Sequence, residues 1–245
     1  MNSIKRKQRT PLQPINAIRK VKFCLEDVST DDEHPSSAFL EKVDPIHSEV
    51  SFFVYTNVKG GIHMQYNLPI LKTQRLLLRP ITQQDVEAMF VYTSQETVAR
   101  YVTWHAHTSI ENTKAFLMLI LNGYEQGNHL LWGIEYSGTL IGTIDFVTID
   151  YTHKLGEIGY VLSEDYWNKG ITTEATKKLI DFGFKELKLV RIQARCMEEN
   201  IGSQKVMEKS GMQFEGLLRK SMFVKGHYKN VKMYAITDDD ARNPL

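Results

Sequence analysis

The sequence predicts an α+β fold of mixed α/β layering: a central mixed β-sheet flanked by helices on both faces, in the order β-α-α-β-β-β-α-β-α-β-β between residues 70 and 238. Three observations carry the prediction. Apolar runs of strand type alternate with segments of helical period. Ser137-Gly138 sits between two such runs as a tight-hairpin signal. Residues 157–175 read as a short apolar strand, a polar turn and a helix start rich in small residues. With 245 residues, 42% of them apolar and 24% charged, the chain can bury a sizeable core.

The elements follow closely from residue 70. Arg75-Leu76-Leu77-Leu78-Arg79 is a strand closed by Pro80, which cannot continue a ladder. Residues 82–93 form a helix with Thr82 as cap, Asp85 in the first turn and Val86, Met89 and Phe90 on one face. Ser109 caps a second helix, whose Phe116, Leu117, Ile120, Leu121 and Tyr124 keep helical spacing. Residues 129–136 and 140–149 are the hairpin strands, and 156–162 a third. A helix over 172–187 buries Ala175, Leu179, Phe182 and Phe184 or its neighbours. Residues 190–197 are a strand, and 202–210 a short helix stopped by Gly211. Two last strands, at about 214–224 and 228–236, meet near Gly226.

Residues 1–63 differ from the rest. The first 22 hold Lys5, Arg6, Lys7, Arg9, Arg19, Lys20 and Lys22 and no acid, and an acidic stretch with Glu26, Asp27, Asp31, Asp32 and Glu33 follows. Such charge blocks predict a poorly ordered extension. It has no apolar core of a secretory signal. Lys59-Gly60-Gly61-Ile62-His63-Met64 back-translates into a purine-rich, ribosome-binding type of sequence just ahead of an ATG, so Met64 is expected to be the native start, with 1–63 outside the native protein. The alternative is a basic arm that docks on RNA or a ribosome.

Several function classes are disfavoured. A net charge of +1 argues against a broad nucleic-acid-binding face, and no apolar run approaches membrane-spanning length. Cys24 and Cys196 are too few and too isolated for a disulfide framework or a Cys-x-x-Cys zinc site, which fits a reducing cytoplasm. His105 and His107 form a His-x-His pair without a carboxylate or cysteine at ligand spacing, so no metal is expected. There is no Gly-x-Gly-x-x-Gly after a strand and no P-loop. In residues 157–175, by contrast, the first helical turn presents unpartnered N–H groups, and Gly170 and the small Thr172 admit a ligand close to the backbone. That describes a pyrophosphate cradle. It also describes an ordinary turn needing one flexible residue.

The ordered blocks together favour the cradle. They are Arg75-Leu76-Leu77-Leu78-Arg79-Pro80, Ile141-Gly142-Thr143-Ile144, Glu157-Ile158-Gly159-Tyr160, Trp167-Asn168-Lys169-Gly170, Thr173-Glu174-Ala175, Asn200-Ile201-Gly202-Ser203, and Glu208-Lys209-Ser210-Gly211 running on to Phe214-Glu215-Gly216. In these blocks residues 70–238 resemble the GNAT superfamily of acetyl-CoA-dependent N-acetyltransferases, and more narrowly the branch that acetylates N-terminal amines of ribosomal proteins. The family's Arg/Gln-x-x-Gly-x-Gly/Ala signature falls on Trp167, Gly170 and Thr172, with Asn168 and Thr172 as departures. Thr172 brings a methyl and a hydroxyl toward the expected phosphate oxygens.

The resemblance implies acetyl-CoA as cosubstrate and no metal. Val161 and Leu162 are expected to give main-chain contacts to the pantetheine arm, which lies along the strand as an added strand would. The turn and helix start from Trp167 through Asn168, Lys169, Gly170, Ile171 and Thr172 to Thr173 are expected to hold the pyrophosphate, and Asn200 to reach the pantetheine amides. Asn200 as a plain helix cap is the other reading. Glu157 shares a strand face with Gly159 and Val161 and is the expected general base, acting through water. A backbone N–H near Val161 would hold the oxyanion. No Tyr lies between Asn200 and Gly211, so Ser203 is the expected acid for the departing thiolate, with helix-start capping as its rival.

The acceptor is expected to be an N-terminal α-amino group, possible alternatives within the same chemistry being a polyamine, an amino acid or an aminoglycoside. Trp104, His105, His107, Phe146, Tyr151 and Tyr228 are candidate lining groups for an uncharged or peptide-like acceptor. A non-catalytic CoA-binding sensor and a ribosome-docking protein are readings from another class. A homodimer is an expectation by analogy with the family alone.

Overall fold

A computed structural model describes residues 68–127 and 129–242 in full, and residues 53–58 and 61–66 as backbone. The expectation of a basic arm in residues 1–22 lies outside the described residues. Two strands, β1 (Phe53–Val58) and β2 (Gly61–Tyr66), pair antiparallel and straddle the boundary set at residue 63.

The predicted order is present in an eight-stranded sheet, β3-β4-β5-β6-β7-β8-β10-β9. Its strands are β3 (Leu71–Lys72), β4 (Leu76–Arg79), β5 (Leu130–Tyr136), β6 (Thr139–Asp150), β7 (Leu155–Leu162), β8 (Arg191–Met197), β9 (Gln213–Val224) and β10 (His227–Thr237). Every neighbouring pair is antiparallel except β7 and β8. A parallel pair needs a crossover, and α4 (Ile171–Lys185) supplies it. The β5–β6 hairpin turns on Ser137 (φ 51°) and Gly138 (φ 80°), the left-handed pair that a two-residue hairpin requires.

The helix predicted over 82–93 starts as a 3-10 turn, Gln83–Asp85, before α1 (Val86–Thr93). Tyr92 and Thr93, not Val86 and Phe90, join Met89 as its buried face. A short helix the sequence does not announce, α2 (Glu96–Ala99), precedes α3 (Ile110–Glu125). The helix after the polar turn begins one residue early, at Ile171, and ends at Lys185. Asn200 opens α5 (Ile201–Lys209), and α6 (Asp238–Arg242) follows β10.

Two apolar clusters fill the two faces. Ile81, Met89, Tyr92, Val98, Leu117 and Ile120 join α1, α2 and α3 to the sheet, with Val161 packed against them. Ile158, Leu162, Ile171, Ala175, Leu179, Phe182 and Met207 join α4 and α5 to the other face. Phe146 belongs to this second cluster: it packs under Gly156 and Gly183, and so lines the core and not an acceptor pocket. Among the described residues no helix is long and apolar enough to cross a membrane.

Candidate active site

The site begins where the sheet splits. β7 and β8 are paired only at Leu155 with Arg191, Gly156 with Ile192 and Glu157 with Gln193. Beyond that register β7 runs on to Leu162 and β8 to Met197 without pairing to each other, so β7 carries a free edge in mid-sheet. A bulge in β6 between Phe146 and Thr148, opposite Glu157 and Ile158, adds twist at the same level. An unpaired strand edge is a ready template for another extended chain. The expected pantetheine contacts at Val161 and Leu162 fall on this unpaired stretch.

Glu157 stands at the fork. It is 8% exposed, its Oε1 lies 2.7 Å from Arg195 Nε, and its Oε2 accepts from Gln193 Nε2 at 2.9 Å. Both partners come from β8, so the carboxylate ties the last paired register together. Asp145 on β6 sits close by, opposite Gly159.

Val161, beyond the fork, is partly exposed; Leu162 is buried, and its carbonyl accepts from Trp167 Nε1 at 2.9 Å. With that bond made, Trp167 is still 41% exposed. Asn168 (φ 59°) and Gly170 (φ 72°) both adopt the left-handed conformation, turning the chain into the first turn of α4. Gly170 takes that conformation without a Cβ penalty, and a Cβ there would meet only Arg75 Nη2, at 3.7 Å. Arg75 fixes the turn from outside, donating to Lys169 O at 3.0 Å and pairing with Glu174 at 2.6 Å. Lys169 Nζ rests over the Tyr166 ring, 5.1 Å from its centroid. Ile171 is 1% exposed, so it has only its backbone to offer a ligand, whereas Thr172 and Thr173 are partly exposed in the first turn.

On the α4–α5 side of the split, Asn200 Oδ1 accepts from Ser203 N at 3.1 Å. Asn200 is therefore the cap of α5, and the Ser203 hydroxyl is free for another partner. That partner is Tyr160, whose hydroxyl lies 2.8 Å from Ser203 Oγ. The pair spans the gap between β7 and the start of α5. Burial holds Tyr160 far above the usual tyrosine range and pushes the neighbouring Cys196 thiol up to about 11.

The sequence reading missed Tyr160, Asp145 and Arg195. Period-two alternation already put Tyr160 on the face opposite Glu157, and an acid inside the apolar run of residues 140–149 was itself a signal. His107 bonds Thr113 Oγ1 at 2.8 Å and packs against Trp104 and Phe116, with burial lowering its pKa. Tyr151 and Tyr228 are exposed.

Residues 75–213 match the acetyltransferase (GNAT) domain family. The chain belongs to the GNAT acetyltransferases. It is 37% identical over 170 residues to the uncharacterized N-acetyltransferase YoaA of Bacillus subtilis, a match covering 69% of this chain and 96% of that protein. A solved GNAT-family acetyltransferase from Bacillus anthracis superposes with a TM-score of 0.63 at 34% identity, covering 70% of this chain and 99% of the other. Relatives with a named acceptor divide. The Escherichia coli ribosomal-protein-serine acetyltransferase is 31% identical over 112 residues (46% of this chain, 63% of that one), and the E. coli spermidine N(1)-acetyltransferase is 28% identical over 157 (62% and 81%). The chain is an acyltransferase of the N-acetyltransferase kind, and GNAT homologues bind acetyl-CoA or CoA. The split sheet and the paired left-handed turn residues before α4 fit that cosubstrate.

Proposed function

We propose that this GNAT enzyme acetylates the N-terminal α-amino group of a protein, ribosomal proteins being the first class to test. The observation that carries this reading is the state of the carboxylates around the split. A polycation is held by several unpaired acids, yet two of the acids there already carry cations of their own, Glu157 with Arg195 and Glu199 with Lys229. That environment suits one ammonium group on a largely uncharged chain. Kinship reaches both a ribosomal-protein-serine acetyltransferase and a spermidine N(1)-acetyltransferase, so the choice between them rests on the carboxylates.

In this reading acetyl-CoA supplies an acetyl group activated as a thioester. The free edge of β7 around Val161 and Leu162 lies along its pantetheine arm, and a backbone N–H near Val161 serves the oxyanion. Residues Trp167, Asn168, Lys169, Gly170, Ile171, Thr172 and Thr173 hold the pyrophosphate, and Asn200 keeps its capping role beside the arm. Glu157 serves deprotonation of the amine from the α1–α3 face. Ser203, backed by the Tyr160 hydroxyl, returns a proton to the thiolate from the opposite face.

The acceptor is tested by following thiol release from acetyl-CoA with peptides bearing ribosomal-protein N-termini and, in parallel, with spermidine. Turnover with peptides and little with spermidine supports the proposal; the reverse preference removes it. Ser203→Ala and Tyr160→Phe are each expected to lower kcat by about 100-fold, with the KM for acetyl-CoA little changed. The double variant should be no slower than the worse single one, because two groups in one relay act as a unit. Additive losses would separate them.

A further inference from the structure

The acceptor-side face holds one carboxylate to which these roles give no task. Asp145 lies on β6 directly opposite Gly159, on the face that carries Glu157. A Cβ placed on Gly159 would stand 2.9 Å from Asp145 Oδ1 and 2.7 Å from Val147 Cγ2. The missing side chain thus lets the carboxylate lie across β7 just past the fork, beside the stretch that has left β8. Among the described residues no hydrogen-bond donor reaches it. Both oxygens of Glu157, by contrast, already accept from Arg195 and Gln193.

The surroundings of Asp145 come from four elements. Glu157 of β7 faces it with a negative charge, and behind Glu157 stands Arg195 of β8. From α3 the Tyr124 hydroxyl is near enough to feel its charge, but that hydroxyl donates to Leu131 O and accepts from Ile81 N. From β5 the opposite residue is Leu131, which is apolar. Burial first, and the Glu157 charge second, push Asp145 up to about 7. A base is most effective when its pKa lies near the working pH, and an ordinary aspartate at about 3.9 falls well short.

We propose that Asp145 is the group that takes the proton from the acceptor ammonium, with Glu157 beside it as the positioning charge that favours proton binding there. The inference rests on the amine-acetylation reading and divides the carboxylate work within it. The ammonium gives one proton to Asp145, which passes it to water. The freed lone pair forms the bond to the acetyl carbon, the carbon–sulfur bond breaks with its electrons going to sulfur, and the surplus proton on nitrogen is balanced by the one the thiolate gains.

The test is the pH dependence of kcat/KM from about pH 5 to pH 9, using acceptors whose own amine pKa values differ. An inflection belonging to the enzyme stays in place across acceptors. Wild type is expected to rise through one near 7. In Asp145→Asn that inflection disappears and kcat/KM falls about 100-fold or more, while acetyl-CoA affinity by calorimetry is unchanged. In Glu157→Gln the inflection survives and moves to lower pH, a shift that a merely structural role would not produce. Full activity of Asp145→Asn overturns the proposal, as does a slow Asp145→Asn enzyme that keeps the inflection, or a Glu157→Gln enzyme that loses it. Should Asp145→Asn fail to bind acetyl-CoA, the direction of the Glu157→Gln shift decides alone. Turnover with polyamines but not peptides overturns only the acceptor reading, since the same inflection must appear with either amine.

Discussion

Gly142→Ala is expected to abolish measurable acetyl transfer and to lower the melting temperature by about 6–12 °C. Gly142 lies on β6 opposite Leu162, and a Cβ there would stand 2.2 Å from Val161 O and 2.9 Å from Leu162 Cα. Both atoms belong to the backbone, so no rotamer change relieves the clash. β7 has to move away from β6, and it can only move toward the split. The strain is about 3 kcal/mol or more, and at this chain length each kcal/mol shifts the midpoint by roughly 2–4 °C. The displaced residues are the same two proposed to bond the pantetheine arm, so acetyl-CoA affinity should fall with stability. Gly133→Ala is the control. Its Cβ would meet Leu140 Cδ1 at 2.4 Å, the end of a flexible side chain that can turn aside, and its loss should stay near 1 kcal/mol. Circular dichroism melts and calorimetric titration read both variants; equal melting temperatures for the two would refute the distinction between backbone and side-chain obstruction.

The contrast between those glycines also marks what was legible in the chain. The Ser137-Gly138 turn and the strand–turn–helix over residues 157–175 are local, and short-range patterning is enough to place them. The α2 helix is only four residues long, barely more than one turn, so no apolar pattern can repeat within it, and its register is set by contacts made elsewhere: Gln95 and Thr97 bond Glu164, and Lys225 Nζ donates to Ala99 O. The candidate site divides in the same way. Glu157, Ser203 and the cradle stand in motifs. The partners that set their chemistry do not, because Arg195 meets Glu157 through parallel pairing across the α4 crossover, and Tyr160 meets Ser203 across 43 residues of chain. Strand alternation assigns Tyr160 a face, but only the packing of α5 decides which side chain it finds there.

Arg79→Met is expected to cost about 3 kcal/mol at neutral pH, and the cost should shrink in acid. Arg79 Nη2 lies 2.7 Å from Asp85 Oδ1 and Nη1 donates to Oδ2 at 2.9 Å, while Nε pairs with Glu135 at 2.6 Å. Asp85 is 7% exposed, so removing the guanidinium strands a buried charge between β4 and the start of α1. Two donors remain, Thr82 N at 2.7 Å and Thr82 Oγ1 at 3.0 Å, which places the loss at the lower end of the range for a broken buried pair. Against the upward push of burial, the hydrogen bonds from Arg79 and Thr82 hold the Asp85 carboxyl below its usual range. A carboxylate depressed in the folded state adds stability that is fully present above its unfolded pKa of about 3.9 and is lost as pH falls through the folded value. The wild type therefore loses the benefit of the pair in that window, and the variant, lacking Arg79, has less to lose. Urea unfolding at neutral pH and below pH 4 should show the gap between the two proteins narrowing in acid. A gap that widens would mean that Asp85 is not the partner through which Arg79 stabilises the fold.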